Sequence, residues 1–250
     1  MSESMFRFKQ FFCSHGSSSI KIGVDAVLLG AWADVKGSTI LDVGTGCGVI
    51  ALQCAQRNPD ARIIGIDIDP ASIEEASGNF ESSPWSARLE AILCDFSGLA
   101  DHGSRTDASF RYDRIISNPP FFSSGVSSPH SSRLKARHQG ELSPSSLLAQ
   151  GARLISDSGK IAMIVPSDQE EELVAKARQS GLEPARCCRV RGHAGAPVKR
   201  AMLEFRRASA SDAYESASDA YEIEYLTLED APGQPTEAYR TLCKDFYLKF

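Results

Sequence analysis

Four consecutive residues, Asn118-Pro119-Pro120-Phe121, carry the chemistry most easily read from this sequence. The amino nitrogen of a nucleobase or an amide is a poor nucleophile, because its lone pair is delocalised into the neighbouring π system. To make it react, a protein must hold the NH₂ group out of conjugation with fixed hydrogen-bond acceptors. An Asn side-chain oxygen and a backbone carbonyl both serve. Two successive prolines fix φ and remove two N–H donors, which leaves a rigid turn whose Pro119 carbonyl can point at a substrate. The ring of Phe121 offers a face on which a planar base can stack. A Pro-Pro loop started by Asn is also a common turn, so position decides its meaning.

A second group is Asp42-Val43-Gly44-Thr45-Gly46-Cys47-Gly48. It follows an apolar run and opens a helical one, where unpaired backbone N–H groups and bare glycine backbone allow a ligand to come close. Taken alone, the spacing suits S-adenosylmethionine, a dinucleotide or a plain tight turn. Asp67 ends the next strand, about twenty residues on, where a carboxylate can accept both ribose hydroxyls of an adenosyl group. A helix N-cap is the alternative, but Asp69 before Pro70 fills that role more naturally. Asp95, in Cys94-Asp95-Phe96, closes the third strand and is placed either to accept from an adenine amino group or simply to be solvated. The expected cofactor is therefore S-adenosylmethionine, with Asp42, Gly44, Gly46, Gly48, Asp67, Asp95 and Asn118 around it.

These residues need a scaffold, and the chain supplies alternating elements. Strands are expected at 39–43, 62–67, 89–93, 114–117 and 160–165, with helices at 48–56 and 71–80 between them. Such alternation implies βαβ units and a parallel, doubly wound α/β sheet. The three acids and the tetrapeptide then all fall at the carboxyl edge, where open α/β sheets bind ligands. Beyond Pro166 come a helix at 168–179, strands near 187–191 and 201–205 that can close the sheet as an antiparallel pair, a last strand at 222–228 and a helix at 236–247. Residues up to Trp32 read as an extended piece and a helix over the site.

Composition bounds the rest. The chain has 250 residues, 42% of them hydrophobic and 24% charged, which suits one large α/β unit. The seven cysteines are odd in number and show no CxxC pair, so reduced thiols are expected, and no metal site. No apolar run is long enough to span a bilayer, and Met1-Ser2-Glu3-Ser4 does not begin a signal peptide, so a soluble, cytoplasmic protein without membrane contact is expected. A net charge of −5 means that any nucleic acid must be met by a local basic patch.

With Asn118-Pro119-Pro120-Phe121 after the fourth strand, the chain resembles the class I, Rossmann-like methyltransferases that modify exocyclic amines. That likeness implies a mostly parallel seven-stranded sheet, helices on both faces and an antiparallel strand near the C-terminus. Further runs narrow it: Phe8-Lys9-Gln10-Phe11-Phe12, Ile20-Lys21-Ile22-Gly23-Val24-Asp25-Ala26-Val27, Ser83-Pro84-Trp85, Lys199-Arg200, and the ending Phe246-Tyr247-Leu248. These are similar to the bacterial tRNA1(Val) adenine-37 N6-methyltransferase family over nearly the whole chain. The resemblance implies methyl transfer to N6 of the adenosine 3′ of the anticodon, with a valine tRNA anticodon stem-loop as partner. It also implies an extension over 1–37 covering the site, and a methyltransferase domain over 38–250.

Two features depart from that family: Val24 stands where Thr is usual, and the stretch Ser211-Asp212-Ala213-Tyr214-Glu215 recurs as Ser218-Asp219-Ala220-Tyr221-Glu222. The duplication reads as a surface loop. Arg133, Lys135 and Arg137, just past the tetrapeptide, and Lys199 and Arg200, together with Arg186, Arg189 and Arg191, are candidate phosphate contacts, with ordinary solvated charge as the alternative. Competing readings keep the chemistry but change the acceptor, to a protein glutamine or a ribosomal guanine, or keep only the fold, as an RNA-binding scaffold.

Overall fold

The structure, a computed structural model, describes residues 5–16, 22–99, 111–120, 142–208 and 221–250. Lys21, Phe121, Arg133, Lys135, Arg137, His138 and most of the duplication (211–220) lie outside the described residues.

In chain order the elements are β1 (Met5–Arg7), β2 (Phe12–Ser14), α1 (Val24–Trp32), β3 (Thr39–Val43), α2 (Val49–Arg57), β4 (Arg62–Asp67), α3 (Pro70–Glu81), β5 (Leu89–Leu93) and β6 (Tyr112–Ser117). There follow α4 (Pro144–Leu154), β7 (Ile155–Pro166), α5 (Glu170–Gln179), β8 (Leu182–His193), β9 (Arg200–Arg207), β10 (Glu222–Ala231), β11 (Gln234–Pro235) and α6 (Glu237–Cys243). β1 and β2 form a separate antiparallel hairpin. The other strands form one sheet in the order β11-β10-β8-β9-β7-β6-β3-β4-β5.

The central strands β5, β4, β3, β6 and β7 are all parallel. The apolar runs of β3, β4, β6 and β7 are buried on both faces, as a helix-covered parallel sheet requires, whereas the edge strand β5 is only partly covered. β9 then runs antiparallel to both β7 and β8. Among the described residues the main sheet has nine strands and not the seven implied by the resemblance. β10 adds in parallel to the outer side of β8, and the two-residue β11 hooks back onto β10.

Two apolar layers sandwich the sheet. One gathers α1, α2, α3, α6 and the hairpin around Val27, Leu29, Leu52, Phe80 and Phe246. The other gathers α4 and α5 around Leu147, Leu148, Leu173 and Ala177. Described residues of the N-terminal segment are part of this core: Phe8 and Phe11 are buried and stacked at 4.5 Å, and Phe8 also stacks on Tyr247 near the C-terminus.

Side-chain caps mark the starts of α3 and α4. Asp69 accepts from the N–H groups of Ala71 and Ser72, with Pro70 in the first turn of α3, so this acid is the N-cap and Asp67 is left for other work. Ser143 and Ser146 form a reciprocal capping box that starts α4, a helix the sequence reading omits.

Candidate functional site

Strand order reverses at β3: β4 and β5 lie on one side of it, β6 and β7 on the other. The crevice between the carboxyl ends of β3 and β6 is therefore the topological switch point of the sheet, the favoured ligand position in such folds. Register places the expected residues around it. Val43 pairs with Ile66 and with Ser117, so Gly44, Asp67 and Asn118 come next in their strands at one level. Asp67 pairs with Leu93, which brings Asp95 to the same edge. The buried Ser117 hydroxyl donates to the Val43 carbonyl at 2.8 Å and pins the two sides of the crevice together.

The glycine loop is held from below and from the side. Asp42 is completely buried. Its Oδ2 accepts from the Thr45 hydroxyl at 2.6 Å and from the Ala51 N–H at 3.2 Å, spanning the loop from its turn to the first turn of α2. Burial pushes this carboxyl up to about 7, against the pull of the Thr45 and Ala51 hydrogen bonds, and the nearby Asp67 adds to the rise. Asp42 thus shapes the loop from within the core. At the side, Asp67 Oδ2 accepts from the Gly46 N–H at 3.0 Å, and its Oδ1 accepts from the Asp69 N–H at 3.0 Å.

Two glycines of the loop do different work. Gly46 has φ 56 and no atom within 4 Å of where a side chain would begin, so its backbone faces open space. Gly48, at φ 84, begins α2, and a Cβ there would fall 2.4 Å from the Phe80 ring. It is needed for close packing of α2 on α3. Gly44 is exposed at the rim.

At the rim Asp95 is exposed and accepts from the Ser97 N–H at 2.8 Å. Ile68, 41% exposed, and Leu93, 55% exposed, put apolar side chains beside the two strand-end acids. Asn118 is half-buried, Pro119 buried and Pro120 exposed. Arg200 begins β9 opposite Pro166, so it stands at the same edge, and its Nε donates to Asp25 Oδ2 at 2.8 Å. Lys199 beside it is exposed. Arg186 is a structural residue: it bonds Glu204 and the Trp32 carbonyl, and its guanidinium lies 4.0 Å over the Trp32 ring. Arg189 is tied to Glu170 and Tyr225, and Arg191 to Thr227.

Sequence reasoning missed Thr45, Ser117 and Ile68. Each is adjacent in sequence to a residue that it found, and that adjacency was the available signal. Among the described residues no group of three or more His, Cys, Asp and Glu is placed to hold a metal ion, and no helix is long and apolar enough to cross a membrane.

Known proteins are similar to this chain in sequence and in fold. The family model described as "Methyltransferase small domain" matches residues 20–174. A tRNA1(Val) (adenine(37)-N6)-methyltransferase of Bacteroides fragilis is 37% identical over 250 residues, covering 100% of both chains. Among solved structures, a predicted O-methyltransferase of Agrobacterium tumefaciens superposes with TM-score 0.62 at 17% identity, over 89% of this chain and 96% of that one. A T. thermophilus 16S rRNA N2 G1207 methyltransferase, solved with AdoMet and guanosine, does so with TM-score 0.55 at 16% identity, over 82% of this chain and 50% of that one. The two structures establish a shared fold. The chain belongs to the methyltransferase small-domain family and, within it, to the tRNA1(Val) (adenine(37)-N6)-methyltransferases.

Proposed function

Starting from that family membership, we propose that the protein transfers a methyl group from S-adenosylmethionine to N6 of adenine 37, beside the anticodon, in a valine tRNA. The observation that carries this reading is the meeting of the glycine loop, Asp67 and Asn118 at one level across the switch point.

The residues present fit the cofactor. Open space over Gly46 admits a ligand against the backbone. Asp67 and Asp95 offer carboxylate oxygens for ribose hydroxyls and an adenine amino group, and Ile68 and Leu93 offer apolar walls for a flat ring. Gly44, Gly46, Asp67, Asp95 and Asn118 would line the site, with Asp42 and Gly48 shaping it. When bound, S-adenosylmethionine supplies a methyl group on a sulfonium, an electrophile that needs no metal.

The chain then has to present the nitrogen. The Asn118 side-chain oxygen and the Pro119 carbonyl accept from the adenine NH₂ and hold its lone pair out of the ring. Phe121 and the rigid Pro119-Pro120 turn support the flipped base. The methylated nitrogen is transiently cationic and strongly acidic, so its proton can pass to water and no strong general base is required. Arg133, Lys135, Arg137, Lys199 and Arg200 are the phosphate contacts that orient the anticodon stem-loop. Residues 1–37 cover the site and 38–250 form the catalytic domain. A tRNA substrate places the enzyme in the cytoplasm.

The test is methyl transfer from labelled S-adenosylmethionine to total tRNA, followed by nucleoside analysis. N6-methyladenosine is expected, and it is lost in Asn118→Ala. Label in guanosine, or in protein, would overturn the assignment.

A further inference from the structure

The N-terminal hairpin touches the glycine loop through two thiols. Cys13 on β2 and Cys47, between Gly46 and Gly48, are both buried, with their sulfurs 3.6 Å apart. All seven cysteines are unbridged, and no other two of their sulfurs are in hydrogen-bonding contact. Asn79 of α3 braces both backbones and also reaches the Cys13 sulfur, its Nδ2 donating to Sγ at 3.4 Å. Its Nδ2 donates to the Cys47 carbonyl at 2.8 Å and to the Ser14 carbonyl at 2.9 Å, and its Oδ1 accepts from the Ser14 N–H at 2.8 Å. The two thiols are therefore held face to face.

We propose that Cys13 and Cys47 are a redox pair, which a hydroperoxide converts to an intramolecular disulfide that weakens S-adenosylmethionine binding. The chemistry has a defined direction. The Cys13 thiol donates to Cys47 Sγ, a hydrogen bond that holds the Cys47 thiol below the usual range; the same bond, together with burial, pushes Cys13 up. Cys47, the acceptor of that hydrogen bond, is the sulfur that attacks the O–O bond once it has lost its proton. An S–O bond forms, the O–O bond breaks, and the departing hydroxide takes up a proton to become water. Cys13 sulfur then attacks the Cys47 sulfenic acid, and a second water leaves as the S–S bond forms. Two thiols are oxidised, one hydrogen peroxide is reduced to two waters, and both thiol protons leave in those waters; an organic hydroperoxide gives one alcohol and one water instead.

The consequence follows from distance. A disulfide needs its sulfurs about 2.05 Å apart, so the pair must close by roughly 1.5 Å. Asn79 holds both sides, at Ser14 and at the Cys47 carbonyl, and the stacked Phe8 and Phe11 further fix the hairpin side. On the loop side, Cys47 is flanked by two glycines, and Gly46 has free space around it. The loop gives way, and the bond from the Gly46 N–H to Asp67 shifts with it.

The experiment uses the full chain, reduced and then exposed to hydrogen peroxide. Peptide mass spectrometry without reductant is expected to show Cys13 joined to Cys47. Calorimetry is expected to show S-adenosylmethionine affinity lowered about tenfold, the scale of one displaced charge-assisted hydrogen bond, and restored by dithiothreitol. Cys13→Ala, which keeps the other six cysteines, should bind the cofactor as the parent does and keep that affinity after peroxide. Absence of the Cys13 to Cys47 link, a link that leaves affinity unchanged, or equal loss in Cys13→Ala would overturn the proposal. Its effect on the cofactor rests on reading the glycine loop as the cofactor cradle. Failure of that reading shows as no binding by the reduced protein, whereas failure of the redox pair leaves reduced binding intact.

Discussion

The carboxyl edge at the glycine loop and the outer strands of the sheet use their acids in opposite ways. At the carboxyl edge of β3 to β5, Asp67 and Asp95 accept from backbone N–H groups of the loops they organise, and no described Lys or Arg forms an ion pair with either. Toward β7 to β10 the acids are matched by cations. Glu204, with a fully buried side chain, meets Lys160 at 2.9 Å and Arg186 at 3.2 Å. Asp34 meets Arg114 at 2.9 Å and Lys160 at 3.0 Å, and Glu170 meets Arg189 at 2.9 Å. Charges closed on one another build the fold. Charges held by backbone donors alone remain available to a ligand.

The sharpest way to break this contrast is Glu204→Ala, which leaves Lys160 and Arg186 facing each other without their shared carboxylate. Denaturant unfolding is expected to show a loss of about 3–5 kcal/mol, with methyl transfer per folded molecule unchanged. Loss of activity without loss of stability would place the outer network in catalysis. The converse substitution, Asn118→Ala, should lower kcat at least about 10²-fold, the scale of removing one oriented polar group from a reacting centre. Its denaturation midpoint should stay close to the parent's. Asp67→Ala comes next: cofactor affinity falls about tenfold or more, while stability drops by only about 1 kcal/mol.

A pH-dependent effect compares two aspartates directly. Burial pushes Asp34 up, but the Lys36 N–H, Lys160 and Arg114 outweigh it and hold that carboxyl at about 2. Asp42, buried without a cation, rises to about 7. A carboxyl whose folded pKa is raised binds more protons folded than unfolded, so its ionisation costs stability as pH climbs from its unfolded value toward its folded one. Relative to Asp42→Asn, the parent should therefore lose stability between about pH 4 and about pH 7, with a constant difference above that. Thermal midpoints across pH measure this, and a flat difference would mean that Asp42 is ionised throughout.

Much of this was legible in the sequence because the signals were local. The β-branched runs at 39–43 and 62–67 are strands, and Asp69-Pro70 starts α3 as its composition requires. Helix α4 carried a readable start in Ser143-Pro144, but it follows a long polar stretch and its capping partner is Ser146 in place of the usual Glu or Gln. The inward turn of Asp42 was readable too: strand alternation puts it on the face of Ile40, toward α2, and away from the open rim. What no local pattern contains is cross-chain register. Pairing of Arg186 with Glu204 depends on β8 lying beside β9, and the meeting of Cys13 with Cys47 depends on where the hairpin docks.

The central claim is that Asn118, level with the glycine loop across the switch point, presents one adenine amino group. The most direct measurement is methyl incorporation into a tRNA1(Val) transcript beside the same transcript with adenine 37 replaced by guanine. Label as N6-methyladenosine in the first and none in the second is the predicted result. Equal label in both would contradict the account.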